Sequence, residues 1–272
     1  MSLLTVVSSL LHGDPAPERA ALQVLGASRS DTGLRREHNE DSVAWVDYGP
    51  DRGALAVVAD GMGGAQGGAV ASDLAVSVIC EFFENSRTAP GQALREALET
   101  ANLEIFRLAQ GHDRLSGMGT TCVAAAVLGD SLWAAWTGDA RLYLYRNEEL
   151  YQLSQDDTVV GELVRTGKLT AEAARGHEDR HVLTRSLGTR QAVEVGILSR
   201  PVALLAEDRL LLCSDGVHDM LDDVEIGSIM NRSTPTQSLE SLIQECNRRG
   251  GYDNASAVVV AVSAAPGVGT SL

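Results

Sequence analysis

The 272-residue sequence predicts an α+β fold in which two antiparallel sheets pack together with helices outside them. Three observations lead there. Short apolar runs bounded by turn residues come in blocks, two stretches between the blocks repeat apolar residues at helical spacing, and Gly-Asp joints separate runs as hairpin turns would. With 44% hydrophobic and 22% charged residues the chain can bury a core large enough for one domain.

Taken in order, residues 1–20 read as a loosely ordered leader, 21–263 as the domain and 264–272, rich in Ala, Gly and Ser, as a tail. Runs at 42–46 and 54–59 are strands, the second ending at Asp60. Val70, Leu74, Val78 and Phe82 recur at four-residue steps, and Leu94, Leu98, Ile105 and Leu108 follow Pro90 at near-helical spacing, which makes two amphipathic helices. Strands are expected again at 122–128, 132–137 and 142–145. Gly129-Asp130 and Gly138-Asp139 between them read as hairpin turns, so the three should be antiparallel neighbours. Residues 193–198 and 209–213 add two strands, 239–248 a helix and 255–262 a last strand. Residues 156–181 form a helix-like insertion.

A formal charge of -15, from 37 acidic and 22 basic residues, argues against a nucleic-acid partner, because such affinity rests on Lys and Arg neutralising phosphates. Cys80, Cys122, Cys213 and Cys246 are widely spaced in mostly apolar surroundings and read as reduced packing residues. The apolar start, Leu3 to Val7, lacks a basic cluster before it, and no apolar run approaches the roughly 20 residues that cross a bilayer. A soluble cytoplasmic protein without a membrane partner is expected.

Four acidic signatures stand where apolar strands end or turns begin: Arg36-Glu37-His38-Asn39-Glu40-Asp41, Asp60-Gly61-Met62-Gly63-Gly64, Ser214-Asp215-Gly216 and Asp253-Asn254. Each alone has an ordinary reading, respectively a solvated acidic loop, an Asp-Gly turn, a helix cap and a simple loop. Together they describe one oxygen-ligand site, because carboxylates gathered by a fold repel one another unless a hard cation neutralises them. Glycine after Asp60 lets the Gly61 carbonyl reach a cation beside the carboxylate. Hard oxygen donors with no Cys–His spacing favour Mg²⁺ or Mn²⁺ over zinc, and the chemistry suggested is phosphate-ester hydrolysis.

In this order the motifs resemble those of the metal-dependent protein phosphatases of the type 2C class (the PPM family), above all its compact bacterial members. The resemblance runs from about Gly26 to about Val262. It also covers Gly119-Thr120-Thr121, Gly138-Asp139-Ala140-Arg141 and Thr184-Arg185-Ser186-Leu187-Gly188. It implies a four-layer αββα sandwich with a small helical flap at about 156–181 bordering the cleft. It also implies two tightly bound Mn²⁺ or Mg²⁺ ions. Asp60 would bridge them, the Gly61 carbonyl would contribute, and Asp215 and Asp253 would complete the pair. Glu40 and Asp41 would reach the metals directly or through water, and Asp139 would hold a third, weaker ion together with Asp215. Arginine three residues before the asparagine selects Arg36 as the phosphate clamp, whose guanidinium can hold two phosphate oxygens in one plane, and leaves Arg35 a surface charge.

The implied reaction is in-line attack on phosphorus by a water activated between two metals, without a phosphoenzyme. The chain departs from the family in three places. Ala140 replaces a usual serine, and Asp157 stands where bacterial relatives commonly have histidine. Met62, as in many bacterial relatives, replaces a histidine that can protonate the leaving group; metal-bound water would then supply the proton, or a side chain such as His38 or His218, which lie within motifs but read more simply as surface or packing histidines. The resemblance implies phosphoserine and phosphothreonine proteins as substrates and a bacterial Ser/Thr kinase as the opposing activity. A non-catalytic phosphoprotein-binding regulatory module and a phosphatase of small phosphoesters are the alternatives. Retention of the three strand-end aspartates argues against the first, and the lack of a Gly-rich Lys-Ser/Thr nucleotide loop leaves the second unsupported.

Overall fold

The central strands are apolar at consecutive positions because both of their faces are buried. In β3 (Ala54–Met62), Leu55, Val57 and Ala59 pack toward helices, while Ala56 and Val58 face another sheet. The same division by twos sorts β11 (Arg209–Cys213) and β12 (Ala255–Ala264): Leu210, Leu212, Val258 and Val260 enter the layer between the sheets, and Leu211, Cys213, Ala257 and Val259 meet the helices beyond. This computed structural model describes residues 22–64, 66–231 and 234–265; the expected leader and nearly all of the expected tail lie outside them.

One sheet has the order β1-β12-β11-β7-β8, with β1 at Leu22–Asp31, β7 at Arg141–Arg146 and β8 at Glu149–Gln152. The other has the order β10-β6-β5-β3-β2, with β2 at Asp41–Asp47, β5 at Cys122–Leu128, β6 at Ser131–Thr137 and β10 at Val202–Ala203. Short β4 (Gly119–Thr120) pairs with β3, and β9 (Gly196–Ile197) with β6. All of these pairings are antiparallel.

Helices α1 (Gly67–Asn85) and α2 (Pro90–Gly111) cover the second sheet through Ile79, Leu94, Leu98 and Ile105. Pro90 opens α2 at a position where its missing N–H costs nothing. On the other side lie α6 (Asp223–Met230), closed by a capping box of Asp222 and Glu225, and α7 (Pro235–Arg248), capped by the Thr234 hydroxyl. Their Ile226, Leu239, Leu242 and Ile243 complete that layer. The result is the expected αββα order.

The structure corrects two expectations. Gly138-Asp139 is no hairpin: β5 and β6 pair, but after Gly138 the chain crosses to the other sheet, where β7 pairs with β11 and β8. The hairpin lies one strand later, at Asn147 (φ 52°) and Glu148 (φ 64°), joining β7 to β8. Of residues 193–198 only Gly196 and Ile197 pair as a strand, because they meet β6 only at Ala135 and Trp136. The insertion at 156–181 holds two short helices, α3 (Val159–Arg165) and α4 (Ala171–Arg175), capped by the Thr158 and Thr170 hydroxyls. Cys122, Cys213 and Cys246 are buried, Cys80 is half-buried and all four are free thiols, with burial pushing Cys246 up to about 12.

Candidate metal centre and cleft

Strand direction gathers the acidic signatures at one end of both sheets. Asp41 opens β2 and Asp60 closes β3, and the two are register partners. Asp215 follows the end of β11 as the first residue of α5 (Asp215–His218), Asp253 and Asn254 precede β12, and Asp139 sits in the crossover from β6 to β7. A cleft of about 300 Å³ lies there, walled by Arg36, Glu40, Asp60, Gly61, Asp139, Asp215 and Asp253. Met62, Thr121, His181 and Leu183 complete much of its rim.

Close backbone packing holds these groups. The Asp60 carbonyl accepts from Thr121 N and from the Thr120 hydroxyl, each at 2.8 Å, and Gly61 N donates to the Glu40 carbonyl at 3.1 Å. Asn254 acts as a staple: its Oδ1 accepts from Glu40 N at 2.9 Å, while its Nδ2 donates to the Thr32 and His38 carbonyls. A Cβ at Gly68 would stand 1.8 Å from Glu40 Oε2, and one at Gly61 would stand 2.1 Å from the Gly68 carbonyl. The glycines following Asp60 therefore let α1 begin directly against the Glu40 carboxylate.

Asp41 differs from the other expected ligands. It is buried behind the cleft wall, where its Oδ2 accepts from the Ser214 hydroxyl at 2.8 Å. Strand alternation separates it from Glu40: neighbouring side chains at the start of β2 point to opposite faces, so one carboxylate reaches the cleft and the other the interior. Arg36 is exposed and donates to Asp253 Oδ2 at 2.8 Å, a bond that raises its pKa. Arg35 lies over the Tyr252 ring, 5.7 Å from its centroid.

The carboxyls are electrostatically crowded. Burial, followed by the charges of Asp215, Asp41 and Asp139, raises Asp60 well above the usual carboxylate range. Burial and the Asp215 charge carry Asp139 to about 7, against the opposing effect of His218. Burial also lifts Asp41 to about 7, although hydrogen bonds from Ser256 and Ser214 oppose it and the charges of Asp215 and Asp253 add to it. Burial also raises Asp215, which stands close enough to Asp60 for the two carboxyls to perturb each other. Such a set is satisfied by protons or by hard cations, and the Thr121 hydroxyl, buried at the cleft wall without a protein partner, leaves a further polar group for an occupant. An all-oxygen donor set of this charge fits Mn²⁺ or Mg²⁺.

The sequence named Thr121 only within the Gly119-Thr120-Thr121 motif, with no site role, and did not single out His181. No motif marks His181, which lines the cleft from the end of the insertion with Nδ1 3.5 Å from Asp219 Oδ2. His38 and His218 are absent from the cleft lining; His218 Nε2 instead lies 3.1 Å from the Asp139 carbonyl. Ala140 is buried between the sheets. Asp157, 4% exposed, pairs with Arg185 at 2.8 Å and accepts from Gly138 N, tying the base of the insertion to the crossover that carries Asp139.

The family model for Protein phosphatase 2C matches residues 26–255, spanning every residue of this cleft. The chain belongs to the protein phosphatase 2C family. It is 37% identical over 239 residues to the serine/threonine phosphatase stp of Listeria monocytogenes, covering 85% of this chain and 93% of that one. The serine/threonine phosphatase of S. agalactiae superposes with a TM-score of 0.81 at 31% identity, over 88% of this chain and 99% of the other. The catalytic domain of the serine/threonine protein phosphatase PstP, in complex with two manganese ions, superposes with a TM-score of 0.76 at 35% identity, over 89% of this chain and 99% of that domain. The four-layer sandwich expected from the motifs is therefore the family's own fold.

Proposed function

We propose that Asp60, the Gly61 carbonyl, Asp215 and Asp253 hold two divalent cations, that Asp139 and Asp215 hold a third more weakly, and that Arg36 binds the phosphoryl oxygens. The enzyme is a metal-dependent protein serine/threonine phosphatase that uses Mn²⁺ or Mg²⁺ and acts on phosphorylated proteins. What carries the site assignment is the convergence of five strand ends and crossovers on one cleft, with a single exposed guanidinium at its rim. When bound, the ions lower the pKa of a water and offset charge on the phosphoryl group.

The protein's own groups do the rest. Asp60 is held by its backbone to β4 and by its register to β2, so its carboxylate is placed in advance. Asp41 braces the Ser214–Asp215 turn from behind through the Ser214 hydroxyl, a supporting role in this reading rather than an open ligand position. Arg36 is oriented by Asp253 and presents a planar fork to the phosphate. Met62 has no proton to give, which leaves solvent and His181 as proton sources for the departing alkoxide.

In this reading residues 21–263 are the phosphatase domain and 156–181 its flap, whose last residue, His181, lines the cleft, with Leu183 just beyond it. The enzyme opposes a Ser/Thr kinase in the cytoplasm, with neither nucleic acid nor membrane as a partner. Among the described residues no helix is long and apolar enough to cross a membrane. Phosphate release from phosphoserine and phosphothreonine peptides tests the activity: turnover should require added Mn²⁺ or Mg²⁺ and stop on chelation, and turnover that persists without metal would sink the reading.

Arg36→Ala separates the clamp from the metal ligands. The side chain is 53% exposed, so its loss should leave folding and calorimetric Mn²⁺ binding intact. The same change should lower kcat/KM for phosphopeptides by about 10- to 100-fold, as expected when a charge-assisted bidentate contact is removed. Equal loss of Mn²⁺ binding would show that Arg36 supports the ligands instead.

A further inference from the structure

The cleft continues past Met62. A second cavity of about 400 Å³ shares Met62, His181 and Leu183 with it and is completed by the segment 184–190, including Arg185, Ser186, Thr189 and Arg190. Its charge is the reverse of its neighbour's. Five carboxylates line the cleft, whereas no Asp or Glu lines the second cavity, in a chain whose formal charge is -15.

The two guanidiniums there differ. Arg185 is already engaged, by Asp157 at 2.8 Å and Glu194 at 2.7 Å. Arg190 is exposed, and among the described residues no ion pair neutralises it. Its backbone is nevertheless fixed: buried Asn102 on α2 donates from Nδ2 to the carbonyls of Arg190 and Gln191, at 3.1 and 3.2 Å, and accepts from Gly188 N at 2.8 Å. Ser186 is buried and its hydroxyl meets that of Thr189 at 3.0 Å, so the turn carrying Arg190 is held from within.

We propose that this cavity is a substrate subsite that takes an acidic side chain close in sequence to the phosphoserine or phosphothreonine, with Arg190 pairing with its carboxylate. The proposal rests on the cleft being the catalytic site. A peptide whose phosphoresidue enters the cleft must leave over the rim, and the two cavities share a wall of Met62, His181 and Leu183. A guanidinium matches a carboxylate with two parallel hydrogen bonds, and no carboxylate is among the residues that line the cavity beside Arg190. The negative charge elsewhere on the protein opposes acidic substrates only weakly at physiological salt, where charges more than about 8 Å apart are screened. Arg190 is thus a specificity residue, outside the metal and phosphate contacts.

The test is a set of phosphothreonine peptides with glutamate, alanine or lysine scanned through the flanking positions, assayed alongside p-nitrophenyl phosphate. The parent enzyme should favour glutamate over alanine at one or two positions by about fivefold in kcat/KM, the upper range for a solvent-accessible ion pair. Arg190→Ala should abolish that preference, and Arg190→Glu should shift it toward lysine. Hydrolysis of p-nitrophenyl phosphate, which has no flanking residue, should stay unchanged in both variants and shows that they remain folded. An undiminished preference for glutamate in Arg190→Ala, no preference in the parent, or an equal loss on the aryl ester would overturn the subsite. Hydrolysis of the aryl ester with no turnover of any phosphopeptide would overturn the protein-phosphatase reading itself.

Discussion

Asp60→Asn is expected to lower phosphopeptide turnover on the order of 10³-fold at saturating Mn²⁺, the scale seen when a principal electrostatic element of a reaction site is removed. Asparagine keeps the shape and one oxygen but removes the charge that two cations would share. The folded state should tolerate the change well. Without metal, burial and the charges of Asp215, Asp41 and Asp139 already favour the neutral carboxyl at Asp60, so a neutral amide relieves repulsion. Metal-free thermal stability should therefore be unchanged or higher, while stabilisation by added Mn²⁺ is largely lost. Parental turnover in the variant would mean that the bridging assignment is wrong.

The second large effect is on stability and lies at the opposite end of the sheets. Arg146, the last residue of β7, donates to both carboxylate oxygens of Asp208, at 2.8 and 2.5 Å, and to the Ala203 carbonyl at 2.8 Å. Leu205 N adds a further bond to the Asp208 carboxylate at 2.7 Å. The pair is 9% and 2% exposed, and the Arg146 bond to Ala203 ties it to β10 of the other sheet. Asp208→Ala leaves a buried guanidinium without its counter-charge and should destabilise the protein by about 3–5 kcal/mol in equilibrium urea unfolding. Turnover per folded molecule should be preserved, since the metal end of the sheets is untouched. A loss below about 1 kcal/mol would show that water takes over the role of Asp208.

How much of this was legible in the sequence depended on whether the signal was local. β3, β11 and β12 announced themselves because strands buried on both faces must be apolar throughout, and each places one of the proposed ligand aspartates at or next to a strand end. β1 did not: it is an edge strand with exposed Leu25 and the polar run Ser28 to Asp31, and only its pairing with β12 makes it a strand. The Gly138-Asp139 joint misled because the same turn chemistry serves a hairpin and a crossover. Pairing of β7 with β11, far along the chain, decides between them. Crossing between sheets is also what carries Asp139 to the cleft.

Within the site, the motif aspartates were readable as a set because their chemistry is shared, whereas geometry alone separates Glu40, on the cleft wall, from Asp41 behind it. His181 carried no signal at all. It reaches the cleft through the path of the insertion, which composition and periodicity do not encode.

Anomalous diffraction at the manganese edge from crystals of the protein soaked in Mn²⁺ tests the central claim most directly. The account predicts two strong peaks in the cleft, with the Asp60 carboxylate between them and Asp215, Asp253 and the Gly61 carbonyl around them, and a weaker third peak beside Asp139. Strong manganese peaks only elsewhere on the protein, or a cleft without manganese in crystals of active enzyme, would contradict it.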